Sequence, residues 1–239
     1  MSGRYPTTGR STRSSRASKI PTVFTSSEEL RKFFPKAFLR NGSLNLSGKK
    51  RIEYLPDEIT VNGDYISLSN CTSLLRVPNG LDRTCCISLD GCTSLKYIPD
   101  YLSEFSGIID LTDCTSLEHL PEGMHIKGSG SLILDGCTSL KHLPDDLKVE
   151  GRLSIKGCTG LVDLPKGMEV GFMDMDGCTS IERLPSDLKI HMSLVMEGCD
   201  GIAIPQSFLD NHEGKRGIRL PENYHVVEAD VRSQPEFSL

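Results

Sequence analysis

The sequence predicts an α/β solenoid, in which coils of about 21 residues stack so that their short strands form one parallel sheet. Two recurring residue types set this period. Seven of the nine cysteines recur at nearly equal intervals, at Cys71, Cys92, Cys114, Cys137, Cys158, Cys178 and Cys199. Eight prolines keep step with them, at Pro56, Pro78, Pro99, Pro121, Pro144, Pro165, Pro185 and Pro205. Six of the seven cysteines precede a proline by seven residues, so this part of each coil has a fixed length.

Each repeat begins with alternating apolar residues, as in Leu153-Ser154-Ile155. This alternation predicts a short strand whose apolar side chains point inward and whose intervening side chains point outward. A glycine usually precedes the cysteine and permits a sharp bend at the strand end. Thr and Ser after the cysteine can bond backbone groups there, and the proline fixes the chain direction beyond. One repeat buries too little apolar surface to offset its ordering entropy, so neighbouring coils must stack.

The common pattern, L-x-L-x-x-C-T-S-L-x-x-L-P, resembles the leucine-rich repeat, L-x-x-L-x-L-x-x-N/C-x-L, and recurs eight times between Leu44 and Leu220. It departs from that form after the cysteine, where the next leucine comes three residues later instead of two. The tail "LPxxLxV" resembles the repeats of effectors that Gram-negative pathogens inject into host cells. "GCTSLxxLP" is similar to the repeats of plant intracellular immune receptors. The resemblance implies a right-handed horseshoe with a parallel sheet on its concave side and short extended or 3-10 segments on its convex side.

The recurring cysteine predicts a column of buried thiols. In the family, asparagine usually fills this inward slot and hydrogen-bonds a neighbouring coil, and cysteine is a smaller substitute with a weak donor. Neighbouring strands lie about 4.8 Å apart, so disulfides between coils are conceivable by distance. The odd total of nine cysteines and the missing export signal favour reduced thiols instead. Zinc sites usually need C-x-x-C pairs, and the sequence has none.

Both ends of the array are predicted to be closed. Upstream, Ser26 and Glu29 match a capping box at the start of an amphipathic helix with an aromatic stripe. Downstream, Ile218, Leu220 and Asn223 match L-x-L-x-x-N and predict a degenerate ninth strand. The predicted segments are a disordered basic Ser/Thr-rich tail and candidate secretion signal (1–22), an N-terminal helical cap (23–42), eight leucine-rich coils (43–210), and the ninth repeat with a C-terminal cap (211–239).

Charge separates the tail from the rest of the chain. The net charge is -5, but residues 1–22 hold five of the 27 basic residues and none of the 32 acidic ones. A basic tail on an acidic body indicates two different roles. Since no window approaches eighteen uninterrupted apolar residues and no apolar h-region occurs, neither a membrane span nor a Sec-type signal peptide is expected. The triplet Lys49-Lys50-Arg51 is too small a basic cluster to predict nucleic-acid binding.

Outward-facing strand residues are predicted to line the concave surface, and most of them are acidic. The predicted partner-binding residues are Asp90, Asp110, Asp113, Asp135, Arg152, Lys156, Phe172, Asp174, Asp176 and Glu197. A repeated ridge of like charge costs self-repulsion, so it predicts a partner protein with a basic surface. Two alternatives stay open. Asp-Gly is good turn chemistry, so these acids can equally be solvated surface, and stacked aspartates can bind calcium, although these are not gathered in a chelating loop.

Catalytic motifs do not occur in the sequence. It has no P-loop, no G-x-S-x-G, no H-E-x-x-H and no dinucleotide fingerprint. The histidines are scattered, with His119 and His142 in one predicted convex column. An enzyme that uses Cys86 or a histidine is the least favoured class. Some secreted leucine-rich-repeat effectors carry a ubiquitin-ligase domain with a cysteine nucleophile, and no cysteine follows Cys199 here, so that domain is not expected.

The sequence therefore predicts a non-enzymatic protein-interaction module without a cofactor or a bound metal. The resemblance implies a bacterial effector that is exported by a specialised, non-Sec system and binds a host protein in the host cytoplasm. The alternative is a cytosolic leucine-rich-repeat adaptor, or a recognition protein like an immune receptor, that is never exported. The identity of the partner and the oligomeric state are not predicted.

Overall fold

The chain folds as a parallel β-solenoid of about eight turns, with a long parallel sheet and few helices. A computed structural model describes residues 20–57, 59, 61–81, 85–212 and 217–228. The predicted tail up to position 19 lies outside these described residues. The prediction of stacked coils that share one parallel sheet is confirmed.

The strands are short because each coil turns three times within about 21 residues. In chain order they are β1 (Leu44–Asn45), β2 (Tyr65–Ser67), β3 (Cys86–Ser88), β4 (Glu104–Phe105), β5 (Ile108–Asp110), β6 (His125–Ile126), β7 (Ser131–Ile133), β8 (Lys148–Ser154), β9 (Glu169–Asp174), β10 (Lys189–Val195), β11 (Ile202–Pro205), β12 (Ile218–Arg219) and β13 (Tyr224–Val227). The main sheet has the order β1-β2-β3-β5-β7-β8-β9-β10-β12, and β11 pairs with β13 in a second sheet.

The core is a continuous column of apolar side chains that runs through the coils. Along β5, Ile109 and Leu111 are fully buried, whereas Asp110 between them is partly exposed. The predicted alternation of inward and outward residues is therefore confirmed. Register in the main sheet places inward residues of successive coils side by side, for example Ile87 next to Ile109, so each coil covers the apolar face of the next.

The seven recurring thiols form the predicted buried column. Each Sγ donates a hydrogen bond to a backbone carbonyl of the preceding coil, over 2.9 to 3.3 Å; the acceptors run from Leu46 for Cys71 to Met175 for Cys199. Burial raises the pKa of all seven thiols, to about 11 for Cys71 and about 12 for Cys114 and Cys158. All nine cysteines are free thiols.

The residue before each recurring cysteine makes the sharp bend that was predicted for glycine. Gly136 has φ of +73°, in the left-handed region that glycine enters without steric cost. In two coils Asn70 and Asp113 take this place, with φ of +57° and +56°. Both residue types tolerate this conformation better than other side chains do.

Next to the main sheet, several coils have a further side that is built from short strands. This short-strand side was not predicted. It comprises β4, β6 and the first residues of β8, β9 and β10, which pair with one another before the chain bends into the main sheet. Glycines pack tightly at this bend. A β-carbon on Gly151 would overlap the carbonyl oxygen of Gly130, and one on Gly171 would overlap that of Glu150. The coils can stack at this corner only where the side chain is absent.

At the N-terminal end, the helix α1 (Ser27–Phe33) and the 3-10 turn Pro35–Ala37 precede the first coil. The predicted N-cap is confirmed, because the Ser26 hydroxyl accepts the backbone N–H of Glu29 at 3.1 Å. The Glu29 carboxylate accepts the N–H of Thr25 instead of Ser26, at 3.1 Å. The buried residues Phe24, Leu30 and Ala37 belong to the continuous core.

At the C-terminal end, β12 pairs in parallel with β10, which confirms a ninth strand at Ile218. The helix α2 (Gln206–His212) was not predicted, and it crosses the expected boundary at residue 210. Its Phe208 is buried and stacks on His212 with ring centroids 4.3 Å apart. A helix of seven residues is too short for apolar periodicity in the sequence to predict it.

Candidate functional site

Nine of the ten predicted site residues lie on the open face of the main sheet, which we define by the strand side chains that point away from the core. The prediction was wrong for Asp113, which occupies the left-handed bend before Cys114. Parallel register arranges the open-face side chains in rows across the coils. The first row contains Tyr65, Cys86, Ile108, Ser131, Arg152, Phe172 and Ser193. The second contains Ser67, Ser88, Asp110, Ile133, Ser154, Asp174 and Val195. The third, two residues further along, contains Ser69, Asp90, Thr112, Asp135, Lys156, Asp176 and Glu197.

Hydroxyl groups connect the first coils of the open face. The Oγ atoms of Ser47 and Ser67 lie 2.6 Å apart, those of Ser67 and Ser69 3.0 Å, and those of Ser69 and Ser88 2.7 Å. Ser88 donates to the Asp90 carboxylate at 2.7 Å. Because a carboxylate only accepts, the hydroxyls can all donate in the direction of Asp90. Asp90 thus anchors a chain of hydrogen bonds across three coils, a role that its charge alone did not predict.

Three further aspartates have structural roles in the coils. Asp110 accepts the N–H and the hydroxyl of Thr112, at 3.0 and 2.7 Å. Asp135 accepts the hydroxyl of Ser154 at 2.6 Å and the N–H of Lys156 at 3.0 Å. Asp113 holds a left-handed bend, as described above. These contacts stabilise turns and join coils.

Asp174 is the buried acid of the open face, with 9% of its surface exposed. Its Oδ2 lies 3.2 Å from Arg152 Nη2 and 2.9 Å from Lys156 Nζ. The hydrogen bond and charge of Asp174 raise the pKa of Lys156 above its usual range. Its Oδ1 is buried without a hydrogen-bond partner among the described residues. The two predicted cations of this face therefore converge on one carboxylate from the next coil.

A depression of about 510 Å³ opens at the first-row end of β7 to β10. The predicted residues Arg152, Phe172 and Asp174 line it, together with Met192 and Glu150. Phe172 is 42% exposed and Met192 is 56% exposed. Large apolar side chains that stay exposed beside polar groups are typical of contact surfaces, because aromatic residues, methionine and arginine are enriched there.

The acidic pair, Asp176 and Glu197, lies one row beyond this depression. Their coils are joined by the hydrogen bond from Gly177 N–H to the Glu197 carbonyl, at 2.9 Å. Glu197 is exposed, and Asp176 is partly buried. Arg219 lies 3.7 Å from the Glu197 carboxylate, so one more cation borders the face than sequence reasoning counted.

The structure thus brings together six of the ten predicted residues around the depression and its border: Arg152, Lys156, Phe172, Asp174, Asp176 and Glu197. The other four, Asp90, Asp110, Asp113 and Asp135, come from the coils before Arg152 and do not line the depression. Sequence reasoning missed Met192 and Glu150, because both belong to the bend between the short-strand side and the main sheet. It also missed the serine chain, although the repeated x-L-x pattern with serine at x contained the signal.

Glu150 ties two coils together beside the depression. Its carboxylate accepts the Gly128 N–H at 2.6 Å and contacts His125 Nε2 at 2.9 Å. These two contacts, the Gly128 N–H first, lower the pKa of Glu150. On the same side, His191 Nε2 lies 2.7 Å from the Glu169 carboxylate. Such pairs link neighbouring coils at the rim.

Among the residues that the structure describes, the candidate thiols and histidines have separate surroundings. Cys85 is exposed and Cys86 is partly exposed; burial, then the charges of Asp110 and Cys85, raise the pKa of Cys86. His142 instead pairs with Asp163, at 2.8 Å. Among the described residues no group of three or more His, Cys, Asp or Glu side chains is placed to hold a metal ion. Within the same residues, no helix has the length and apolarity to cross a membrane.

Comparisons of the chain with protein-family models, with curated proteins and with solved structures found no match.

Proposed function

We propose that the chain is a non-enzymatic protein-interaction module that contacts its partner through the open face of the main sheet. The observation that carries this proposal is the depression between β7 and β10, where Phe172 and Met192 stay exposed next to Arg152. Burying such side chains against a partner stabilises a complex, and the charged groups around them give it specificity. The carboxylates of Asp110 and Asp135 are already engaged by neighbouring groups, which favours a binding face over a reaction centre.

We further propose that the solenoid is of the leucine-rich-repeat type, a right-handed horseshoe whose concave side is the open face. Support comes from the repeat pattern and from the thiol column, which occupies the slot that asparagine fills in that family. The N-terminal helix acts as a cap in this proposal. Its aromatic contacts support the role: Phe24 lies 5.9 Å from the Phe33 ring and 5.6 Å from the Phe34 ring, between centroids.

The partner in this proposal is a protein with a basic surface. Seven of the ten predicted site residues are acidic and two are basic, and Arg219 adds a third cation beside Glu197. The acids therefore outnumber the cations, and this excess attracts a basic surface and speeds its association at low salt. Arg152 and Lys156 already share Asp174, so they offset little of the remaining negative charge.

An affinity pull-down from host lysate tests this function. The wild-type chain and three variants serve as baits: Phe172→Ser, the double variant Asp176→Lys with Glu197→Lys, and Val162→Ser as the control. The exposed fraction of Val162, 45%, is similar to that of Phe172, but Val162 lies outside the open face. We expect one partner that the wild type and the control retain and that both open-face baits lose. Equal recovery by all four baits would refute binding at this face.

The favoured biological setting is a secreted effector that acts in the host cytoplasm after non-Sec export. Two sequence features support it: the "LPxxLxV" repeat tail and the basic, acid-free segment 1–22. The alternative is a cytosolic adaptor or recognition protein that is never exported. Removal of residues 1–22 is expected to abolish delivery into host cells in a translocation assay, whereas intact delivery would end the export proposal.

A further inference from the structure

The acidic pair comes directly after the two strands that line one side of the depression. Phe172 and Asp174 of β9, with Ser193 and Val195 of β10, line the depression. Two residues further along these same segments come Asp176 and Glu197. At about 3.3 Å per residue, the acidic pair begins about 7 Å beyond the depression and about 13 Å from the first row.

The depression is suited to an apolar side chain. Its exposed apolar surface comes from Phe172 and Met192, and methionine adapts to the shape of what it contacts. Arg152 at its side is paired with Asp174 at 3.2 Å, and Lys156 shares the same carboxylate at 2.9 Å, so an entering apolar group need not break these contacts. A volume of about 510 Å³ has room for one or two large side chains.

The acidic pair is suited to a cation. Asp176 and Glu197 project from neighbouring coils about 4.8 Å apart, and like charges at this spacing repel each other. Two cations border the pair. Lys156, next to Asp176 in the third row, directs its ammonium group to Asp174 at 2.9 Å. The contact of Arg219 with Glu197 is long, at 3.7 Å, and solvent-exposed, so both cations offset this repulsion only weakly. A lysine or arginine from a partner would relieve the repulsion and donate a hydrogen bond to either carboxylate.

We infer that this part of the open face binds an extended segment of a partner protein that carries an apolar anchor residue and a lysine or arginine up to four residues away. The anchor lies against Phe172 and Met192, and the cation reaches Asp176 and Glu197. Four extended residues span the 13 Å between these subsites, and fewer suffice when the long stem of Lys or Arg bridges the gap. This inference rests on the proposed function and names the chemistry of its partner.

Selection from a random 12-residue peptide library displayed on phage, with the full chain immobilised, tests the inference. We expect enriched peptides to combine a Leu, Ile, Met or Phe with a Lys or Arg within four positions. Measured as synthetic peptides, they should bind the Phe172→Ser and Glu197→Lys variants about tenfold more weakly. The Val162→Ser control should bind like the wild type. Thermal unfolding of each variant establishes that it is folded.

A second readout comes from the methionine methyl groups. In a chain with carbon-13 methyl-labelled methionine, bound peptide should shift the Met192 resonance, which the Met192→Leu variant assigns. Enriched peptides that depend on Phe172 but lack a cation, or that bind Glu197→Lys unchanged, would overturn the inference and leave the proposed function standing. Peptides that ignore Phe172 and leave the Met192 resonance unmoved would count against both. Failure to enrich any peptide would overturn the inference alone, since a folded partner does not depend on an extended segment.

Discussion

At the scale of single residues, the thiol column shows how a hydrogen-bond donor determines which side chain fits an inward position. Each recurring cysteine fills an inward slot and donates to a carbonyl of the preceding coil. Serine could donate too, but its hydroxyl carries a larger desolvation cost than a thiol. The thiols were predictable because their spacing fixed both period and orientation.

The raised thiol pKa values predict how stability depends on pH. The ordinary value is 9.0, whereas folding raises the pKa of Cys71 to about 11 and that of Cys114 to about 12. Above pH 9 the unfolded chain therefore loses thiol protons that the folded chain keeps, and the free energy of unfolding falls as pH rises through 9 to 12. Urea unfolding at several pH values measures this decline. The Cys114→Ser variant should show a shallower decline, and an identical decline would exclude the thiols as its cause.

Asp174 predicts a second effect at the residue scale. Asp174→Ala leaves the half-exposed cations Arg152 and Lys156 facing each other without the carboxylate, so it should lower the free energy of unfolding by about 1–2 kcal/mol. Asp163→Ala is the matched control, because its pair with His142 is solvent-exposed and should contribute under about 1 kcal/mol. Urea denaturation of both variants provides the comparison. Equal losses would show that burial of Asp174 does not strengthen its ion pairs.

Sequence reasoning placed Asp174 on the open face but could not foresee its burial. Its neighbours Arg152 and Lys156 come from the preceding coil, and their convergence depends on the register between β8 and β9. The same limit applies to Asp135, whose hydroxyl partner, Ser154, belongs to the next coil. Outward orientation follows from period two, whereas side-chain partners across coils follow from packing.

At the scale of elements, the bend between the short-strand side and the main sheet controls how closely coils stack. It was not predicted because β4 and β6 have only two residues each, too few to show alternation. The glycines at this bend were visible in the sequence but had no assigned neighbour. Their role appears only when the carbonyl of the preceding coil is in place, as for Gly151 under Gly130.

Alanine substitutions at two glycines of one coil distinguish the free-energy cost of close packing from that of backbone strain. Gly151→Ala would force its methyl group against the Gly130 carbonyl, and we expect a loss of about 2–3 kcal/mol in the free energy of unfolding. Gly157→Ala meets no atom within 4 Å, although its φ is +63°, so it should cost about 1–2 kcal/mol from strain alone. Chemical denaturation decides between them. A larger loss for Gly157→Ala would contradict the close stacking at the bend.

At the scale of the whole molecule, the coils are interchangeable units in phase with one another. Deleting residues 137–157 joins Gly136 to Cys158 and removes one coil without changing which side chains face inward. We expect a folded, less stable chain whose urea m-value is about an eighth smaller. Deleting residues 137–147 removes half a coil and moves the following residues out of phase, so that chain should not fold. If both deletions behaved alike, the stacking of equivalent coils would be wrong.

The solenoid, its thiol column and the open face followed from periodicity, since those features repeat along the chain. The depression did not, because Met192 and Glu150 occur at the bend of single coils and repeat nowhere else. In this chain, the residues that repeat predict the solenoid scaffold, whereas residues that break the repeat line the depression. Phe172 is such a departure, in a row otherwise occupied in adjacent coils by Arg152 and Ser193.

The most direct test of the central claim, that the open face is the contact surface, is site-specific photocrosslinking. In one variant, benzoylphenylalanine replaces Phe172 on the open face. In the other it replaces Tyr97, which is 50% exposed and lies two residues before Pro99, outside the open face. After irradiation in the presence of the partner, the adduct is identified by mass spectrometry. We predict that the partner crosslinks to position 172 and not to position 97; crosslinking from position 97 alone would contradict the claim.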